Sequence, residues 1–157
     1  MSQTTDIVLF RQHRLTTTGE LQVLLIQRGG DPTEEFYGYW ATPGGHIDPE
    51  DCFDFEVAAA RELQEETGIS CEQVPYPLHL RYMGAREEPG WVGHVFWGLV
   101  TDHHDVSGAQ AADDAQDLAW VNYPAFMQLK QRGQMAFDHA EVVENLFRLV
   151  SQTLNYQ

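Results

Sequence analysis

Three acids stand in one short stretch of the chain: Glu62, Glu65 and Glu66, within Arg61-Glu62-Leu63-Gln64-Glu65-Glu66-Thr67-Gly68-Ile69. Offsets of three and four residues stack side chains on one face of an α-helix. Like charges at that spacing repel, so an isolated helix loses a few tenths of a kcal/mol per pair. A divalent cation is the natural compensator, because hard cations such as Mg²⁺ take carboxylate oxygens and complete their shell with water and phosphate. The segment therefore points toward phosphate chemistry. Upstream, Gly44-Gly45 by itself reads as a turn. Downstream, Asp113, Asp114 and Asp117 lie in an acidic stretch from which a carboxylate could contact a metal or an attacking water. Arg28, Arg81 and Arg86 are either phosphate or ribose contacts, since Arg engages phosphate in bidentate fashion, or surface salt-bridge partners. Phe36, Tyr37, Tyr39 and Trp40 either stack on a base or cover the core. His103-His104 reads as a solvent-facing pair and His139 as structural.

Several elements must position these groups. Asp6 to Arg11 and Leu21 to Arg28 read as strands, with Thr16-Thr17-Thr18-Gly19 as turn material for a hairpin. Gly29 to Tyr39 reads as a loop. A helix begins between Asp51 and Asp54, either of which can serve as N-cap, and stops at Gly68. On it Ala59 and Leu63 face the core, with the acids around the other side. Leu78 to Gly84 and Trp91 to Thr101 read as strands joined by a turn at Arg86 to Gly90. Asp102 to Asp117 reads as a loop and Leu118 to Tyr123 as a strand. Pro124 to Lys130 is a brief helix opened by Pro. Asp138 to Leu154 is an amphipathic helix with Val142, Val143, Leu146, Leu149 and Val150 as its apolar stripe. This order predicts an α+β fold, or a sheet sandwiched between helices.

The totals agree with that plan. At 157 residues the sequence is one domain's length, and four Trp, six Tyr and eight Phe supply core material. A net charge of −15 repels a nucleic-acid backbone, so nonspecific nucleic-acid binding is disfavoured. An acidic protein that handles an anionic phosphate needs cations between the two. Cys52 and Cys71 form neither a disulfide framework nor a zinc site. No signal peptide and no membrane-length apolar run are visible, so the expectation is a cytoplasmic protein without a membrane partner.

Pro43-Gly44-Gly45 followed by Arg61 to Ile69 resembles the Nudix box: Gly, five residues, Glu, seven residues, then Arg-Glu-U-x-Glu-Glu-x-Gly-U with U a bulky aliphatic. The portion from Arg61 to Ile69 matches at every specified position. The upstream part departs, because Gly45 lies sixteen residues before Arg61 instead of fourteen and the first Glu would fall at Phe53. That is a two-residue insertion, with Glu50, Asp51 or Asp54 available to replace the missing acid. Gly29-Gly30-Asp31-Pro32, Gly38 to Gly45, Asp113-Asp114-Ala115 before Trp120-Val121, and Ala136-Phe137-Asp138-His139 resemble the ADP-ribose pyrophosphatase-type branch. Together these motifs cover roughly Ile7 to Leu149.

The resemblance implies a single Nudix domain over residues 1–157, an α/β/α sandwich with a mixed sheet between helices. It implies hydrolysis of a nucleoside diphosphate linked to another group, with ADP-ribose or a nucleoside diphosphate sugar as leading substrate. Glu62, Glu65, Glu66 and a backbone carbonyl of the glycine pair, Gly44, would hold Mg²⁺ or Mn²⁺. Arg61 would orient a box carboxylate. The general base is a box Glu such as Glu65 or an acid of the distant loop, Asp114 being the first choice. Arg28, Phe36, Tyr39 and Arg86 are the candidate substrate contacts. A homodimer is the favoured assembly. The rival readings are a housecleaning nucleoside triphosphate pyrophosphatase, a non-catalytic nucleotide sensor, and a pure interaction module.

Overall fold

Residues 2–12 and 20–155 are described by a computed structural model. The first strand, β1 (Ser2–Gln12), is longer than the apolar run of Ile7 to Phe10 predicts. Its polar start is held in parallel pairing with β6 (Trp91–Val100), from Ser2 opposite Trp91 to Arg11 opposite Val100. β2 (Leu21–Arg28) runs antiparallel to β1 only where Phe10 to Gln12 meet Leu21 to Val23. The expected turn at Thr16 to Gly19 lies outside the described residues. Farther along, β1 parts from β2 and its first half pairs instead with the short β4 (Gly44–His46). β3 (Trp40–Ala41) and β7 (Ala115–Asn122) both pair antiparallel with β2. β5 (Arg81–Glu88) forms the far edge beside β6.

Both faces of this mixed sheet are covered, which explains the unbroken apolar run in β1. Period-two alternation sends Ile7 and Leu9 to one face and Val8 and Phe10 to the other. The first face packs on α1 (Phe55–Thr67) through Ala59 and Leu63. The second packs on α2 (Tyr123–Gln131) and α3 (His139–Asn155) through Phe126, Val143, Leu146, Phe147 and Val150. Phe147 meets Phe10 edge to face at 5.1 Å, a geometry worth about 1 kcal/mol beyond the area it buries. The result is the α+β sandwich, helices on both sides of a mixed sheet.

Three expectations need correction. β5 is shifted toward the C-terminus: Arg86 to Glu88 are strand, and Pro89-Gly90 makes the turn. As an edge strand, β5 alternates exposed and half-buried residues from Met83 to Glu88 and lacks the apolar signal that Leu78 and Leu80 carry just before it. In α3, Leu149 is exposed and Phe147 takes the buried position. In α1 the acids do not share a solvent face, as the site shows.

Candidate functional site

α1 fixes the box. Asp54 caps its start, accepting from the Glu56 and Val57 amides at 3.0 and 3.2 Å. Gly68, at φ 76°, ends it in the left-handed conformation that glycine tolerates. Between these stops the three acids diverge. Glu65 is exposed on the flank, Glu62 is half-buried, and Glu66 is 6% exposed. Glu66 therefore belongs to the inward face with Leu63. Its Oε1 accepts the Gly44 amide at 2.9 Å. Burial pushes its carboxyl up to about 8, with Glu62 and Asp113 adding in the same direction and the Gly44 amide and Arg28 opposing. Burial also pushes Glu62 upward, against the pull of Arg61.

Arg61 is the hub of the flank. Its Nε and Nη2 donate to the two oxygens of Asp51, each at 2.9 Å, in a bidentate fork. Its Nη1 reaches Glu62 at 3.0 Å and Glu65 at 3.1 Å, and Nη2 also donates to the His46 carbonyl. Asp51 is 3% exposed. The fork to Arg61 is the main cause holding its carboxyl below the ordinary range. Of the three acids available to replace the missing Glu, Asp51 is thus the one that grips Arg61, while Asp54 caps the helix and Glu50 is exposed. The insertion is taken up by a single 3₁₀ turn, Pro49–Asp51, and by Cys52 and Phe53 in left-handed backbone. Phe53, standing where the pattern has Glu, is 85% exposed.

The glycine pair does not bend the chain. Gly44 and Gly45 lie in β4, opposite Asp6 and Thr5 of β1. A Cβ on Gly44 would sit 2.0 Å from the Thr5 carbonyl oxygen, so the strand can close on β1 only with glycine there. A Cβ on Gly45 would sit 2.7 Å from the Glu62 carboxylate.

A cleft of about 630 Å³ opens over these groups. Asp6, Asp31, Glu34, Asp48, Glu62, Glu66, Asp113 and Asp114 line it, and Arg28 is the one guanidinium among the lining residues described. Asp113 and Asp114 are exposed on the loop before β7, where the Asp114 carbonyl accepts the Gly29 amide at 2.7 Å. Asp113, with φ 56°, is the loop acid whose charge acts on Glu66. Asp117 lies within β7. At one rim Arg28 lies over the Phe137 ring at 5.0 Å, and Phe137 contacts Phe36 at 4.7 Å and Trp91 at 6.5 Å. Phe137 is 45% exposed and offers a flat apolar face.

The structure thus brings Glu62, Glu66, Gly44, Arg28 and Asp114 to one cleft. Glu65 and Arg61 stand beside it, joined to each other. Phe36 and Tyr39 contact one another at 5.4 Å, and Phe36 supports Phe137 from behind. Arg86 lies in β5 away from the lining, between Asp6 and Asp138. Sequence reasoning singled out Asp113 beside Asp114 but missed Asp6 and Trp91 as lining residues, and gave Phe137 and His139 no place in a cleft. The only signal for the last two was the Ala136-Phe137-Asp138-His139 motif, and nothing local marked Asp6.

Among the described residues no three His, Cys, Asp or Glu side chains already converge on one point. Arg61 draws Glu62 and Glu65 toward itself, and Glu66 takes the Gly44 amide. The donor set nevertheless suits a hard cation: all oxygen, in charge excess, with one carboxylate buried so far that it resists ionisation.

The chain belongs to the Nudix family: the NUDIX domain model matches residues 3–146. The ADPR responsive transcriptional repressor NtrR of Acinetobacter baylyi is 30% identical over 98% of this chain, which spans only 56% of that protein's length. The asymmetrical bis(5'-nucleosyl)-tetraphosphatase of Rattus norvegicus is 29% identical over 82% of the chain and 84% of its own. Among solved structures, the NUDIX domain of Shewanella oneidensis NrtR complexed with ADP ribose is 27% identical, with a TM-score of 0.69 over 94% of this chain and 87% of that one.

Proposed function

We propose that this chain is a divalent-cation-dependent pyrophosphohydrolase that cleaves a nucleoside diphosphate linked to a second group, with ADP-ribose or a nucleoside diphosphate sugar as leading substrate. The observation that carries the reading is the buried Glu66, paired with Glu62 beneath a cleft of eight carboxylates and one guanidinium. Such a cleft repels a diphosphate unless cations intervene. Glu62, Glu66 and the Gly44 carbonyl would hold Mg²⁺ or Mn²⁺, with Glu65 joining from the flank. When bound, the cation neutralises the diphosphate and lowers the pKa of the attacking water.

The protein's own groups do the rest. Arg61 holds Glu62 and Glu65 in place from its anchor on Asp51. Arg28 supplies a guanidinium to a phosphate. Phe137, in contact with Phe36, which in turn touches Tyr39, offers a stacking face for a base. Asp113 and Asp114 overhang the cleft as candidates to take the proton of the water, with Asp113 the one coupled to Glu66. Water adds to one phosphorus, the bridging P–O bond breaks, and the products are a nucleoside monophosphate and a phosphorylated second group.

The likeness to a repressor responsive to ADPR and to a domain complexed with ADP ribose supports the ligand class and also favours a second reading, a nucleotide sensor. One panel separates them: ADP-ribose, nucleoside diphosphate sugars, dinucleoside polyphosphates and nucleoside triphosphates, each with Mg²⁺ or Mn²⁺, with products identified. A nucleoside monophosphate plus sugar phosphate supports the hydrolase. Pyrophosphate release points to the triphosphate enzyme. Tight ADP-ribose binding without turnover establishes the sensor.

A further inference from the structure

The far end of the chain reaches back into the cleft through His139, the first residue of α3. Its ring is 5% exposed and bridges two elements distant in sequence. Nδ1 lies 3.2 Å from the Thr42 backbone nitrogen and 3.4 Å from Thr42 Oγ1, while Nε2 lies 3.3 Å from Asp6 Oδ1. A backbone N–H can only donate, so Nδ1 accepts and Nε2 carries the hydrogen that the Asp6 carboxylate receives. The other Asp6 oxygen accepts from Arg86 Nη2 at 2.5 Å, and Arg86 Nη1 is paired with Asp138. Burial alone would push the Asp6 carboxyl up, yet His139 and Arg86 together hold it below the ordinary range.

Thr42 is the first of three consecutive residues tied down one by one. Its amide goes to His139, the Pro43 carbonyl accepts the Ile7 amide at 2.8 Å, and the Gly44 amide goes to Glu66 at 2.9 Å. Ile7 belongs to the same strand as Asp6, so β1 grips this segment twice, once directly and once through the imidazole. We propose that His139, set in its Nε2–H tautomer by Asp6, is a positioning residue that fixes the Thr42–Gly44 segment and thereby holds the Gly44 amide on Glu66. Its kinetic consequence rests on the proposed hydrolytic role of Glu66; the tautomer and the order of the segment do not.

The test uses the whole 157-residue chain. A long-range ¹H–¹⁵N spectrum at neutral pH should show His139 unprotonated at Nδ1 and protonated at Nε2. Amide exchange should show Thr42 and Gly44 protected, with protection lost in His139→Leu and largely kept in His139→Asn, whose amide oxygen occupies the Nδ1 position. If ADP-ribose is turned over, kcat should fall about tenfold or more in His139→Leu with a smaller change in KM, and His139→Asn should recover much of it. The opposite tautomer, unchanged Thr42 and Gly44 exchange in the Leu variant, or equal losses in both variants would overturn the proposal. Should the Leu variant not fold, the tautomer and the Asn variant decide. Absence of turnover in the unsubstituted chain would count against the hydrolase and leave the spectral and exchange results to judge His139.

Discussion

Replacing Glu66 by Gln separates a structural acid from a cation ligand, because the two roles predict opposite changes in stability. The Gln amide oxygen can still accept the Gly44 N–H, so the local contact survives. What disappears is the ionisable group. In the folded chain this carboxyl keeps its proton to about pH 8, against an ordinary value of 4.5. Across that window the unfolded chain releases a proton that the folded chain retains, so folding stability falls as pH rises from 4.5 and levels off above 8. At pH 7 the penalty amounts to roughly 3 kcal/mol, from about 1.4 kcal/mol for each tenfold change in proton concentration. Glu66→Gln should therefore be more stable than the unsubstituted chain in EDTA at pH 7 and 8.5, and nearly equal to it at pH 5. With Mg²⁺ the gap at pH 7 should close: the unsubstituted chain gains about 3 kcal/mol at a hundredfold excess over Kd, and the Gln variant gains little. Urea unfolding followed by Trp fluorescence, with and without Mg²⁺, reads both effects. A Gln variant that is less stable than its parent in EDTA at pH 8.5, or that keeps the full Mg²⁺ gain, would refute the reasoning.

Three further outcomes follow from the same geometry. Asp51→Asn should loosen the Arg61 fork and cost on the order of 2 kcal/mol in urea unfolding, with kcat falling more than KM; Asp54→Ala should cost about 1 kcal/mol through its lost cap and leave kcat near its starting value. Gly44→Ala should lower Tm and abolish turnover, since its Cβ would meet the Thr5 carbonyl at 2.0 Å, whereas Gly45→Ala meets only the movable Glu62 carboxylate and should keep the fold. Burial holds the His94 imidazole below its ordinary 6.5, so the unfolded chain takes up a proton that the folded chain resists; stability should fall as pH drops below 6.5, and an NMR titration of His94 should show the depressed midpoint.

The sequence carried the box because a helix writes its face at fixed spacing, and four charges with a terminal glycine leave little ambiguity. The sandwich was legible too, since the run from Ile7 to Phe10 and the stripe on α3 report covered faces. What escaped was whatever depends on closure. Glu66 reads as one more exposed acid until β4 lies against β1 and buries it. Which of the three nearby acids grips Arg61 depended on the path of an inserted turn, which spacing alone left open. β3 and β4 are too short to show any period, and the edge strand β5 has no apolar signal of its own. Whether Arg86 served a phosphate or a salt bridge could not be read from the sequence, because its partners, Asp6 and Asp138, come from opposite ends of the chain.

That closure has a consequence for how the protein is born. β1 finds its parallel neighbour only when β6 has been made, and Thr42 meets its imidazole acceptor across a gap of 97 residues. A ribosome that has delivered the whole box has therefore delivered no finished site. Until α3 emerges, the nascent chain exposes a cluster of glutamates with neither wall nor floor, so the proposed capacity to bind a cation and a nucleotide should appear late and all at once.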